Sequence, residues 1–274
     1  MNNAKSFLDK LKNKWEEGKF VCVGLDSDYS KIPSSFKENR SIEEAIFQFN
    51  KAIIDKTADL ICAYKPQSAY YEAFGDEGWR ALKKTVSYIK EKFSSIPVIL
   101  DAKRGDIEST NEAYAKAIFD DLGVDAVTVH PYLGKEALKA FLKRTNKTIF
   151  VLVRTSNPGA GEFQDLMVKG KLLYQLVAEH VAKDWNQNGN CAVVVGATYP
   201  EELKKVREIV GDMPILVPGI GAQGGDLEAT IKNGLNSQKQ GLIISSSRGI
   251  IFAPDPRKAA EELHSKIQEI LNRV

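Results

Sequence analysis

Eight short apolar runs, each followed by a segment of helical periodicity, constrain this chain more than any other feature. The runs fall at about 20–25, 59–64, 97–102, 126–129, 148–153, 191–195, 214–217 and 241–245. They are nearly continuous in Val, Ile and Leu and lack the polar alternation of a half-solvated strand. Such runs read as strands buried on both faces, which is the habit of parallel sheets. Between and after them, apolar spacing predicts helices near 41–57 (Ser41 as cap, Glu44 three residues on), 77–93, 110–121, 134–144, 167–185, 200–210 and 256–272. Phe7, Leu8, Leu11 and Trp15 predict one further helix ahead of the first strand. Eight βα units in about 250 residues are the signature of an α/β chain closed into a (β/α)8 TIM barrel, here with an extra N-terminal helix. An open doubly wound sheet is the alternative. No Pro-, Ser- or Gly-rich linker divides residues 1–274, so a single barrel domain is expected.

A parallel barrel places its chemistry at the carboxyl ends of its strands. There the sequence delivers Asp26 after the first strand, Lys65 after the second, and Asp101-Ala102-Lys103-Arg104-Gly105-Asp106 after the third. In a regular strand Asp101 and Lys103 project from the same face. Gly105 then turns the chain, and Ser109 or Thr110 can cap the next helix. Charge at such a turn often only solvates a loop. Three consecutive strands ending in acid, lysine, and acid plus lysine form a constellation instead, and a lysine among acids is a candidate proton donor. Asp26, Asp101 and Asp106 also suggest a magnesium site, but Lys65 and Lys103 put fixed positive charge where the ion would sit, so no metal is expected.

The seventh and eighth strands lead into Pro218-Gly219-Ile220-Gly221-Ala222-Gln223-Gly224-Gly225 and Ser245-Ser246-Ser247-Arg248-Gly249. Loops at these two places commonly grip phosphate, through backbone N–H groups that glycine leaves accessible and through a guanidinium fork. Gly219, Gly221 and Gly224 match a dinucleotide fingerprint literally. The match follows the seventh strand, and about 20 residues on stands Gln238-Lys239-Gln240 with no acid, so that reading fails. After the fifth strand, Arg154-Thr155-Ser156-Asn157-Pro158-Gly159 is a polar loop able to close over a ring, with Ser156 and Asn157 as hydrogen-bonding candidates. His130 lies at the same rim; a lone histidine there is more often structural.

Composition excludes several classes. A formal net charge of +2 offers no field for nucleic acid or for an anionic membrane surface. Cys22, Cys62 and Cys191 lie in apolar runs without metal-type spacing and read as buried thiols of a reducing cytoplasm. The first residues lack a signal-peptide pattern, and no run of about 18 apolar residues exists.

The chain from Gly24-Leu25-Asp26 to Ser247-Arg248-Gly249 resembles the orotidine 5′-monophosphate decarboxylase family, in its longer bacterial branch. The most specific element is D-x-K-x-x-D at Asp101, Lys103 and Asp106, joined by Lys65 and the Pro218–Gly225 loop. The resemblance implies a cofactor-free enzyme that converts orotidine 5′-monophosphate to uridine 5′-monophosphate, the last step of pyrimidine nucleotide synthesis. It implies that Asp26 and Lys65 hold the ribose hydroxyls. Lys65, Asp101, Lys103 and Asp106 would form an alternating charged array beneath the pyrimidine, with Asp106 and Thr110 arriving from the second subunit of a homodimer. Ser156 would read the base, Gln223, Arg248 and Gly249 would bind phosphate, and Pro218 would line the pocket. Lys103 would stabilise the C6 carbanion and protonate it. Two rivals remain: a magnesium-dependent sugar-phosphate decarboxylase or aldolase barrel, which needs an acid in place of Lys65, and a non-catalytic nucleotide-binding barrel.

Overall fold

In a computed structural model, which describes residues 5–220 and 225–274, the eight runs form eight parallel strands. They are β1 (Val21–Leu25), β2 (Ile61–Pro66), β3 (Ile99–Arg104), β4 (Ala126–Val129), β5 (Thr148–Arg154), β6 (Cys191–Val195), β7 (Ile215–Pro218) and β8 (Leu242–Ser246). The ladder runs β2-β1-β8-β7-β6-β5-β4-β3. Parallel bridges Tyr64–Val98 and Gln67–Asp101 then join β2 to β3 and close the ring. Each strand neighbours its sequence neighbours, so the open doubly wound alternative is excluded. Nearly every strand residue is buried, as continuous apolar runs require, and helices cover the outside.

The N-terminal helix, Phe7–Glu16, starts at a reciprocal cap: Asp9 N donates to Ser6 Oγ (3.2 Å) and Ser6 N to Asp9 Oδ2 (3.0 Å). It lies across the amino-terminal end of the barrel. Phe7 meets Phe150 edge to face at 5.5 Å, Lys10 pairs with Asp125 just ahead of β4, and the Trp15 indole donates to the Leu242 carbonyl at the start of β8. Full burial of a side chain such as Phe7 or Leu11 is worth about 1.5–3 kcal/mol.

Three local expectations are corrected. The helix expected over 167–185 begins only at Leu173. Met167–Val168 and Lys171–Leu172 pair instead as a small antiparallel hairpin, because Lys169 and Gly170 both adopt positive φ (51° and 78°), the backbone of a tight hairpin turn. The helix expected from Ser109 or Thr110 starts at Glu108 behind Ile107, with no side-chain cap, and widens into a π-type turn over Lys116–Asp121. β3 is not regular: three residues, Asp101, Ala102 and Lys103, stand where β4 supplies Thr128 alone, and Lys103 takes φ 46°. Among the described residues no helix is long and apolar enough to cross a membrane.

Candidate active site

The carboxyl ends of β1, β2 and β3 bring Asp26, Lys65, Asp101 and Lys103 into one row. Lys65 Nζ stands 3.8 Å from Asp26 Oδ1 and 3.1 Å from Asp101 Oδ2; Lys103 Nζ donates to Asp101 Oδ1 at 2.6 Å. Lys65 and Asp101 are buried, whereas the Lys103 side chain is 47% exposed. Charge therefore alternates from the barrel interior toward the mouth. Burial alone would push the Asp101 carboxyl up; the Lys65 and Lys103 ammonium groups, with hydrogen bonds from Lys103 and Thr128, outweigh it and hold the group well below the usual carboxylate range. Burial likewise opposes the Lys65 charge, and Asp101 and Asp26 overcome it, so this ammonium is held above the usual lysine range. Both stay ionised at neutral pH.

Asp26 is set from below. Tyr71 Oη donates to Leu25 O (2.9 Å) and accepts from Asn50 Nδ2 (3.0 Å), while Ser27 Oγ donates to Asn50 Oδ1 (2.5 Å). This buried network pins both neighbours of Asp26. Its Oδ1 is itself buried and has no hydrogen-bond donor among the described residues, an open acceptor on a residue that lines the cavity. That cavity, about 150 Å³, is lined by Asp26, Lys65, Asp101, Pro218, Gly219, Ile220, Ser245, Ser246, Ser247 and Arg248. The acid row and the phosphate-type loops, far apart in sequence, thus share one chamber.

The comparisons with known proteins agree along almost the whole chain. Residues 19–263 match the model of the Orotidine 5′-phosphate decarboxylase / HUMPS family. An orotidine 5′-phosphate decarboxylase of Cellvibrio japonicus is 48% identical over 271 residues, 97% of this chain and 98% of that protein. The one from Janthinobacterium is 46% identical over 272 residues, 98% of each. The solved Leishmania donovani OMP decarboxylase superposes with a TM-score of 0.87 at 39% identity, covering 97% of this chain and 99% of that one. The chain belongs to the orotidine 5′-phosphate decarboxylase family.

Other residues singled out in the sequence lie elsewhere in this decarboxylase-family barrel. Asp106 makes no ion pair among the described residues. It sits on a turn stapled by buried Asn111, whose Oδ1 accepts from Asp106 N and whose Nδ2 donates to Asp106 O and Ala137 O. Beside it Ile107 is 60% and Tyr132 88% exposed. Thr110 lies on the helix behind this turn, also outside the cavity. Gly105 abuts His130 so closely that a Cβ there would fall 2.6 Å from Nε2, and His130 Nδ1 accepts from Tyr132 N at 3.3 Å. The histidine packs the turn. Ser156 is pressed against Gly196, where a Cβ would come within 2.6 Å of the serine Cβ. Its loop is held by buried Arg154, which bonds Asp165 at 3.0 Å and stacks on Tyr199 at 4.0 Å. Gly249 lines the neighbouring cavity with Ile220 and Ser246, and Gln223 falls outside the described residues. Sequence reasoning missed Asn50, Tyr71, Asn111 and Thr128. The one available signal was a polar residue inside an otherwise apolar element, as in Ala126-Val127-Thr128-Val129.

Proposed function

We propose that this chain decarboxylates orotidine 5′-monophosphate to uridine 5′-monophosphate and that Lys103 carries the chemistry. The observation behind the proposal is the alternating row Asp26–Lys65–Asp101–Lys103 at 3.8, 3.1 and 2.6 Å, the first three of which line the cavity that Arg248 shares. As the C6–carboxylate bond breaks, its electron pair stays on C6 and carbon dioxide leaves. A fixed ammonium at that carbon stabilises the developing charge. Lys103 then gives C6 a proton and recovers one from water at its exposed end. Asp101 holds Lys103 in place and crowds the departing carboxylate. The Asp26 Oδ1 acceptor and Lys65 suit the ribose hydroxyls, and Arg248, with Gln223 and Gly249, suits the phosphate. Pro218 lines the pocket and Ser156 meets the base. Binding energy gathered at the phosphate is expressed in the transition state. Lys65 stands between Asp26 and Asp101, where the magnesium-dependent rival needs an acid.

In the same reading Asp106 and Thr110 complete the row of a second subunit, making a homodimer with shared sites. The exposed apolar Ile107, Tyr132 and Leu133 around Asp106 favour that partner. Free buried cysteines suit a reducing cytoplasm, and a hydrophobic cluster running from Phe7 to Ile270 suits one domain.

The test is the fall in orotidylate ultraviolet absorbance with a chelator present. Wild-type turnover is expected to be indifferent to the chelator, and Lys103→Ala to lose roughly ten-thousandfold in kcat with its melting temperature intact. Near-normal activity in that variant, or loss of wild-type activity on chelation, overturns the reading. Mixing Lys103→Ala with Asp106→Ala protein is expected to restore activity that neither shows alone, because a mixed dimer holds one complete site. No restoration after subunit exchange overturns the shared site.

A further inference from the structure

Lys103 reaches its place through a strained backbone, and one side chain answers for it. β3 and β4 pair at Ile99–Ala126 and Leu100–Val127 and then again only at Arg104–Val129, so Asp101, Ala102 and Lys103 bulge opposite Thr128. The φ of 46° at Lys103 is a left-handed conformation that a lysine adopts at a cost of about 1–3 kcal/mol. The bulge also carries the N–H groups of Ala102 and Lys103 away from the carbonyls of β4. Thr128, 1% exposed, supplies what the ladder lost: its Oγ1 accepts from Ala102 N at 3.0 Å and from Lys103 N at 2.9 Å. The hydroxyl proton goes to Asp101 Oδ1 at 2.8 Å, the same oxygen that receives Lys103 Nζ. A hydroxyl has one proton to donate and two lone pairs, and here all three are committed.

We infer that Thr128 is a positioning residue for Lys103: it fixes the strained bulge from the backbone side and the Asp101 carboxylate from the side-chain side, so that the ammonium is held to one place. A strained, over-determined backbone is common where geometry must not relax. Without the hydroxyl, the buried N–H of Ala102 and the part-buried N–H of Lys103 lose their acceptor and Asp101 loses the bond that orients it. The bulge then relaxes toward a regular strand and carries the ammonium with it. Misplacement of a reacting group by about 1 Å costs on the order of a hundredfold in rate.

The inference rests on Lys103 being the proton donor, and the experiment separates the two. Thr128→Val keeps the shape and removes the hydroxyl. It is expected to lower kcat about a hundredfold, with KM for orotidine 5′-monophosphate and Kd for uridine 5′-monophosphate within about twofold of wild type. Thr128→Ser restores the hydroxyl and is expected to recover most of the rate. A merely structural threonine would change the melting temperature without this split between kcat and KM. Wild-type kcat in a folded Thr128→Val, or a serine variant no better than valine, overturns the role of Thr128 while Lys103→Ala stays inactive. An active Lys103→Ala overturns the underlying reading instead. Should the valine variant not fold, hydrogen exchange on the wild-type enzyme decides: the Ala102 and Lys103 amides are expected to be protected, and rapid exchange of both overturns the inference.

Discussion

The two ends of the barrel carry similar residues and use them in opposite ways. At the amino-terminal end, Asp125 accepts from Val98 N (2.9 Å) and pairs with Lys10 (3.0 Å), while Arg207 donates to the carbonyls of Gly211, Met213, Gly234 and Gly241. Burial pushes the Arg207 pKa down to about 10, so the guanidinium still carries its charge at neutral pH. The Arg207 charge is absorbed wholly by backbone, and Asp125 is saturated by one backbone N–H and one lysine. At the carboxyl end the charges face one another instead. Among the described residues Asp26 Oδ1 has no donor, Lys103 is half in solvent, and the backbone beneath it is strained. Charge density alone therefore does not mark an active site. An open acceptor inside a row of facing charges does.

Substitutions at the two ends should separate stability from rate. The largest expected effect on stability is at Arg207. Arg207→Met removes the guanidinium's bonds to four carbonyls at the barrel floor, of which Gly241 O keeps Ile215 N as a donor, and is expected to cost about 4 kcal/mol, since hydrogen bonds to charged groups are worth about 1.5–3 kcal/mol each and water recovers part of the loss. Denaturant unfolding measures this, and kcat of the folded fraction is expected to be unchanged. A loss of kcat would break the contrast.

A smaller stability effect with a much larger rate effect is expected at Asp101. Its folded pKa is depressed, so its stabilisation is full above the unfolded value of about 3.9 and is lost as pH falls through the folded one. The Lys65 pKa is raised, so its stabilisation is full below about 10.4 and is lost as pH rises through the folded value. Asp101→Asn is expected to destabilise by about 3 kcal/mol while abolishing turnover, the low end for removing one partner of a buried ion pair because Lys103 is half exposed. The difference from wild type in unfolding free energy should stay constant between pH 5 and 9 and shrink below about pH 4. A titration inside that plateau would show that the row is not the fixed charge pattern described above.

Much of this was legible in the residues. Val, Ile and Leu runs located all eight strands within about two positions, because burial on both faces is written in composition. The placement of Asp26, Lys65 and Asp101 at one rim follows from strand direction alone. What the residues did not disclose depends on contacts between distant segments. The bulge at Lys103 is stabilised by a hydroxyl 25 positions downstream, so the regular-strand argument put Asp101 and Lys103 on one face for an incomplete reason. The 167–172 hairpin escaped because strands of two residues show no periodicity, and its turn pairs Lys169, rather than Asn or Asp, with Gly170.

The helix across the barrel floor has a consequence for how the chain is made. Trp15 leaves a ribosome well ahead of its indole partner, the carbonyl of Leu242, which lies 227 positions later. β1 likewise waits for β8, its neighbour through Val21–Ile244. Contacts this remote in sequence form late and slowly. The helix therefore stays undocked until the 227 residues that follow Trp15, through Leu242, have been made, and the ring is sealed only after β8 has emerged.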